Sequence, residues 1–173
     1  PVFFLFLLPV TNNTANVGGA LSLTRDVNII STVFDSNEAY GGDGGAIYGG
    51  GPDSLNTDSP ITVNYVTFTA NRAADNGGAF AAYSPIYIAN SVFSNNYTWD
   101  GSGGALAASA SFTIISSTFN NNLATGNIAD EANGGALFIK GNGGDTTGLI
   151  SGSAFLYNGV SANNSVSANG GAI

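Results

Sequence analysis

Gly-Gly-Ala followed by an apolar residue recurs along the chain, with copies starting at Gly18, Gly44, Gly77, Gly103, Gly134 and Gly170. A second motif, aromatic-x-x-Asn, interleaves with it as Phe34/Asn37, Phe68/Asn71, Phe93/Asn96, Phe119/Asn122 and Phe155/Asn158. A degenerate copy, Val10/Asn13, precedes the first Gly-Gly-Ala. Self-similarity at a fixed period marks a repeat architecture, in which a unit buries its apolar face only by stacking on its neighbours. A chain built this way has little choice but to form a solenoid.

The spacing separates scaffold from insertion. From Gly-Gly to the next Phe is 16 residues for Gly18 to Phe34, Gly77 to Phe93 and Gly103 to Phe119, but 24 for Gly44 to Phe68 and 21 for Gly134 to Phe155. The excess falls in segments rich in Gly, Asp, Asn, Ser and Thr, near 49–59 and 141–147. Between the Asn and the next Gly-Gly the chain lengthens at 123–133 and 159–169. Insertions confined to fixed points of a constant unit read as loops projecting from one scaffold, so residues 1–173 form a single domain.

Within the unit the apolar residues alternate. Val27/Ile29, Ile61/Val63, Ile86/Ile88 and Phe112/Ile114 precede each Phe, and Leu21/Leu23, Phe80/Ala82, Leu106/Ala108 and Leu137/Ile139 follow each Gly-Gly-Ala. Period-2 alternation points one strand face inward. No stretch sustains a helical period with caps. The expected fold is all-β: a right-handed, single-stranded parallel β-helix of about six coils, each with two or three short strands. Stacked coils place like over like. Phe34, Phe68, Phe93, Phe119 and Phe155 then form an internal ladder. Asn37, Asn71, Asn96, Asn122 and Asn158 form a second one at a turn, where Asn tolerates the left-handed conformation and its amide bonds to the next Asn. Gly-Gly turns where a side chain would clash.

Together the two motifs resemble the repeats of the chlamydial polymorphic outer membrane proteins, which carry GGA[ILV] and FxxN tetrapeptides. They are also similar to bacterial and algal repeat proteins with pectin-lyase-like β-helices. The resemblance runs from about Val10 to Ile173 and implies a surface-exposed adhesive passenger carried by a membrane barrel. The chain departs from that pattern in having no Cys and no barrel-type segment. The fold also hosts polysaccharide enzymes, so likeness of fold does not by itself assign function.

Composition narrows the partners. Charged residues make up only 8% of the chain against about 25% in ordinary domains, while 43% is hydrophobic, which argues against disorder. Three cations, Arg25, Arg72 and Lys140, face eleven carboxylates. Without a basic stripe to neutralise phosphates, nucleic acid is not an expected partner. Absent Cys excludes disulfides and thiolate metal sites. The opening run Pro1–Val10 is too short to span a bilayer and is read as the strand of a first coil rather than a signal-peptide remnant, because the repeat register extends into it. The chain closes inside a Gly-Gly-Ala motif, so the solenoid is expected to continue past it.

The candidate chemistry is sparse. The carboxylates are Asp26, Asp35, Glu38, Asp43, Asp53, Asp58, Asp75, Asp100, Asp130, Glu131 and Asp145, and only Asp130 and Glu131 are adjacent. Glycoside hydrolysis needs a paired acid and base, so no catalytic residue is assigned and no cofactor or metal is expected. Gly41–Gly45 and Gly143–Asp145 hint at a calcium roll but match its tandem pattern incompletely and read as turns. The aromatics Tyr40, Tyr48, Tyr83, Tyr87, Tyr97 and Trp99 suit stacking on sugar faces, with Tyr97 and Trp99 expected in a loop and exposed. Sequons make Asn12, Asn96 and Asn163 candidate N-glycosylation sites. A glycan on Asn96 conflicts with its place in the ladder, so one of the two readings must fail.

The function expected from these readings is an extracellular or cell-surface structural or adhesive solenoid, a stalk or a filament subunit that associates end to end, with glycans as further candidate partners. The alternative is a polysaccharide-active enzyme or a carbohydrate-binding adhesin.

Overall fold

The computed structural model describes residues 3–24, 26–50, 60–127, 131–141, 146–162 and 167–173. It is a parallel β-helix. Four long sheets run along the solenoid, and neighbouring strands in each come from successive coils. Face A contains Phe3–Phe6, Val27–Ile30, Ile61–Asn64, Ile86–Ala89, Phe112–Ile115 and Gly148–Ser151. Face B contains Pro9–Thr11, Val33–Asp35, Thr67–Thr69, Val92–Ser94, Thr118–Asn120 and Ala154–Leu156. Face C contains Thr14–Ala15, Glu38–Ala39, Arg72–Ala73, Tyr97–Thr98, Leu123–Gly126 and Gly159–Ala162. Face D contains Leu21–Leu23, Ile47–Gly49, Phe80–Ala82, Leu106–Ala108 and Leu137–Ile139.

A coil thus closes with four strands, where two or three were expected. The additional strand is on face C. Most of its strands are two residues long, too short to show an alternating pattern in sequence. The opening run is drawn into the scaffold: Phe3–Phe6 pairs with Val27–Ile30, and Val10 stands in register with Phe34. Leu123–Gly126 and Gly159–Ala162 begin the segments read as insertions, yet they pair with each other within face C. Ala132–Asn133 and Ala168–Asn169, near the ends of the same segments, pair as a small fifth sheet.

The core is a set of columns. Ile29, Val63, Ile88 and Ile114 line face A, fully buried. On face B the rings of Phe34, Phe68, Phe93, Phe119 and Phe155 stack with centroids 5.0, 4.5, 4.6 and 4.8 Å apart. Parallel strands hold their Cα atoms at the hydrogen-bonding spacing of about 4.8 Å, and near-parallel phenyl rings at that repeat stay in contact by stacking offset. Face C turns small residues inward: Ala39, Ala73, Thr98 and Ala124 are fully buried. Where one column gains volume, its neighbour yields. Phe112 continues the column of Val27, Ile61 and Ile86, and the next residue in register is Gly148, where a Cβ would overlap the Phe112 ring.

Candidate functional site

Three of the four turns between faces carry a residue in the left-handed region from coil to coil. Between faces A and B these are Leu7, Ser31, Tyr65, Asn90, Ser116 and Gly152. Between faces B and C they are Asn12, Ser36, Ala70, Asn95, Asn121 and Tyr157, with φ between 53° and 57°. Entering face D it is the first glycine of each Gly-Gly-Ala. The ladder asparagines were expected to take this conformation themselves. Instead the residue before each one does, because the asparagine must aim its side chain inward and along the axis. The left-handed residue faces outward and is free to be Asn, Ser, Ala or Tyr.

The asparagine ladder binds coil to coil. Backbone N and Nδ2 of Asn71 both donate to Oδ1 of Asn96 at 3.0 Å. Asn96 donates in the same fork to Asn122 at 3.0 and 2.9 Å, and its Nδ2 also reaches the carbonyl of Phe68 at 3.1 Å. The pattern runs from Asn13 through Asn37, Asn71, Asn96 and Asn122 to Asn158. Asn96 is 1% exposed and both Nδ2 hydrogens are committed inside, so the folded ladder leaves its amide no outward position for a glycan. Asn12 stands on the exposed side of its corner, and Asn163 lies outside the described residues.

Two further ladders have no counterpart in the sequence reading. At the corner of faces A and B, backbone N of Val66, Ser91 and Ser117 donates to Oγ of Ser91, Ser117 and Ser153, at 3.1, 3.2 and 3.1 Å. At the entry to face D, the polar residue before each Gly-Gly from Asp43 onward does the same work. Asn76 donates through N and Nδ2 to Asp43 Oδ1, Ser102 N donates to Asn76 Oδ1, Asn133 N donates to Ser102 Oγ, and Asn169 Nδ2 donates to Asn133 Oδ1. The signal was present as Asp, Asn, Ser, Asn, Asn in that one position of successive repeats. Asp43 also accepts the Tyr83 hydroxyl at 2.6 Å. Burial pushes the Tyr83 hydroxyl well above its usual range, and the bond to Asp43 adds to the shift. Asp43 therefore serves a turn, as the Gly41–Gly45 segment was read. Gly143–Asp145, with Asp53, Asp58 and Asp130, lies outside the described residues, as does Arg25. Among the described residues no three carboxylates gather to hold a metal ion.

The exterior offers two concave regions. On face D, Ala81 and Ala107 form a floor between Tyr48 and Phe138, which stand in the same outward register. Two adjoining hollows of about 140 and 310 Å³ open there and share Asn76, Phe138 and Lys140. Glu131 borders the larger.

On face C, two outward rows lie side by side. Glu38, Arg72 and Tyr97 are in register in one. Tyr40, Ala74 and Trp99 occupy equivalent positions in the other, each hydrogen-bonded through its backbone N to the preceding coil. Arg72 sits with Cζ 4.4 Å from the Trp99 ring centroid and 5.6 Å from that of Tyr97. Its Nε lies 3.9 Å from Glu38 Oε1, with both side chains 43% exposed. Tyr97 meets Trp99 edge-on and its hydroxyl bonds Thr125 Oγ1 at 3.1 Å. Tyr97 is thus a half-buried strand residue, while Trp99 and Tyr40 are exposed. Of the other aromatics, Tyr87 is exposed on face A, and Tyr48 and Tyr83 pack together on face D at 5.5 Å.

A family model for the Chlamydia polymorphic membrane protein repeat matches residues 31–50 and 90–109. No curated protein and no solved structure matches the chain. The two matched segments are structurally equivalent: each starts at the corner of faces A and B, crosses the asparagine ladder and the Gly-Gly corner, and ends on face D. Residues 31–50 and 90–109 match the Chlamydia polymorphic membrane protein repeat, and each supplies the face B, C and D strands of one coil of a parallel β-helix.

Proposed function

We propose that this chain is a segment of a surface-exposed, non-catalytic solenoid that acts as a structural or adhesive stalk. The observation that carries the reading is the continuity of the corner ladders. They join coil to coil at fixed points, so the coils form one stiff rod whose outward residues are free to vary. The repeat type supports surface display, since it is named for a membrane protein family associated with the outer membrane or surface. No helix among the described residues is long and apolar enough to cross a membrane, and a β-barrel is a separate matter. The hollows on face D set one described carboxylate, Glu131, near Lys140, where glycoside hydrolysis uses a pair; this supports a binding role over a catalytic one.

Antibodies raised against folded residues 1–173 test the display. Labelling of intact, unpermeabilised cells of the source organism is the expected result. Labelling that requires permeabilisation overturns it. End-to-end association belongs to the same reading. Among the described residues, the strands Phe3–Phe6 and Gly148–Ser151 are outermost in face A and each leaves one edge without a strand partner, the arrangement that recruits another strand. Residues 1–173 alone are expected to self-associate in sedimentation, and a monodisperse monomer counts against it.

A further inference from the structure

The hollow on face C has features that plain sheet packing does not require. In the row Tyr40, Ala74, Trp99, the central residue is a methyl group between two rings two coils apart, a gap of about 9–10 Å at the coil spacing. The rings remain exposed, Tyr40 by 63% and Trp99 by 48%. Beside the gap, Arg72 and Glu38 hold a guanidinium and a carboxylate next to each other, each only partly covered. The hollow is about 200 Å³, opens to solvent, and is lined by Glu38, Ala39, Tyr40, Arg72, Ala74 and Trp99.

We infer that this hollow is a binding site for a single neutral pyranose ring, such as a terminal sugar of a glycan. The inference does not depend on where the chain is displayed. Size comes first: sites for drug-sized ligands run from about 300 Å³ upward, so this one takes a single ring and not an oligosaccharide strand. Chemistry comes next. Guanidinium donates only and carboxylate accepts only. A vicinal diol, whose hydroxyls do both, satisfies the pair together, and the C–H face of the same ring lies against Tyr40. Charge settles the class. Glu38 neutralises Arg72 locally, and a chain of net charge −8 repels carboxylated or phosphorylated ligands. The site is also rigid. Trp99 is anchored by its backbone N to the Ala73 carbonyl at 3.0 Å, and its own carbonyl accepts from Asn127 Nδ2 at 2.6 Å. Rigid aromatic walls lose little entropy on binding.

Trp99 is the one tryptophan of the chain, so its fluorescence reports on this hollow alone. Residues 1–173 are titrated with methyl glycosides of glucose, galactose, mannose and N-acetylglucosamine, with N-acetylneuraminic acid and adenosine as separate arms. The expected result is a saturable change in emission with at least one neutral glycoside. Tyr40→Ala and Glu38→Ala, outward-facing changes whose fold is checked by far-UV circular dichroism, are each expected to weaken that glycoside roughly tenfold, the scale of a lost apolar ring contact for Tyr40 and of one hydrogen bond to a charged group for Glu38. No response to any neutral glycoside overturns the inference. So does a response to the acidic sugar or adenosine alone, or a glycoside response unchanged in both variants.

Discussion

At the scale of the residue, Asn96 shows why one amide is repeated at each coil. Its side chain accepts from the coil before and donates to the coil after, and it caps the carbonyl of Phe68. Each such bond adds a net 0.5–1.5 kcal/mol, roughly, but a partner left buried without one costs about 1–3 kcal/mol. Asn96→Ala strands several partners at once and is expected to lower stability by about 3 kcal/mol, read as the shift in the urea unfolding midpoint. Asn95→Ala, at the exposed left-handed position beside it, is expected to cost only about 1 kcal/mol. Equal losses in the two would show that the ladder adds nothing beyond the turn. The asparagine ladder was legible from its spacing. The serine ladder was not, because serine is common in this chain and Val66 interrupts the column.

The element that limits the solenoid is the Gly-Gly corner. The first glycine is left-handed, as Gly77 is at φ 66°. The second faces the next coil so closely that a Cβ on Gly78 would overlap the Gly104 carbonyl oxygen and crowd the backbone of Tyr97. Those neighbours are backbone, one in the hydrogen-bonded corner of the next coil and one in a paired strand, and have nowhere to move. Gly78→Ala is therefore expected to cost about 3 kcal/mol or more, or to prevent soluble folding. Gly141→Ala, where the nearest atom lies at 3.5 Å and belongs to the Thr146 side chain, is expected to leave the thermal midpoint unchanged within error. A Gly78→Ala protein as stable as the parent would mean that coils separate at this corner without loss. Position was readable here from the doubled glycine. The four-strand count was not, since the two-residue strands of face C exist only through their partners in adjacent coils.

For the whole molecule, the contacts are between nearest coils, so stability is a sum over coils and their interfaces. Removing residues 78–103 joins Gly77 to Gly104, one whole coil later, and restores register: Phe68 meets Phe119 and Asn71 meets Asn122. That shortened chain is expected to stay folded, with the same far-UV circular dichroism per residue and a modestly lower unfolding midpoint. Removing residues 78–90 takes out only faces D and A of the same coil and is expected to abolish folding, because every later column then lies over the wrong one. If both deletions fold equally well, the ladders do not set the register.

The sequence by itself determined the solenoid, the parallel register and the identity of the Phe and Asn columns. Equal spacing along the chain forces equal residues to meet once the coils stack, and a repeat that cannot bury its own apolar face does so against its neighbours. Only the tertiary structure decided what the irregular positions do. Asn96 is spent inside the ladder rather than offered to a glycan, and the polar residue before each Gly-Gly from Asp43 onward links neighbouring coils. Glu38, Tyr40, Arg72 and Trp99 come from three coils and meet only because face C sets those coils side by side. Columns obey the period and can be read from it, whereas a site assembled across coils depends on which unlike residues the period happens to bring together.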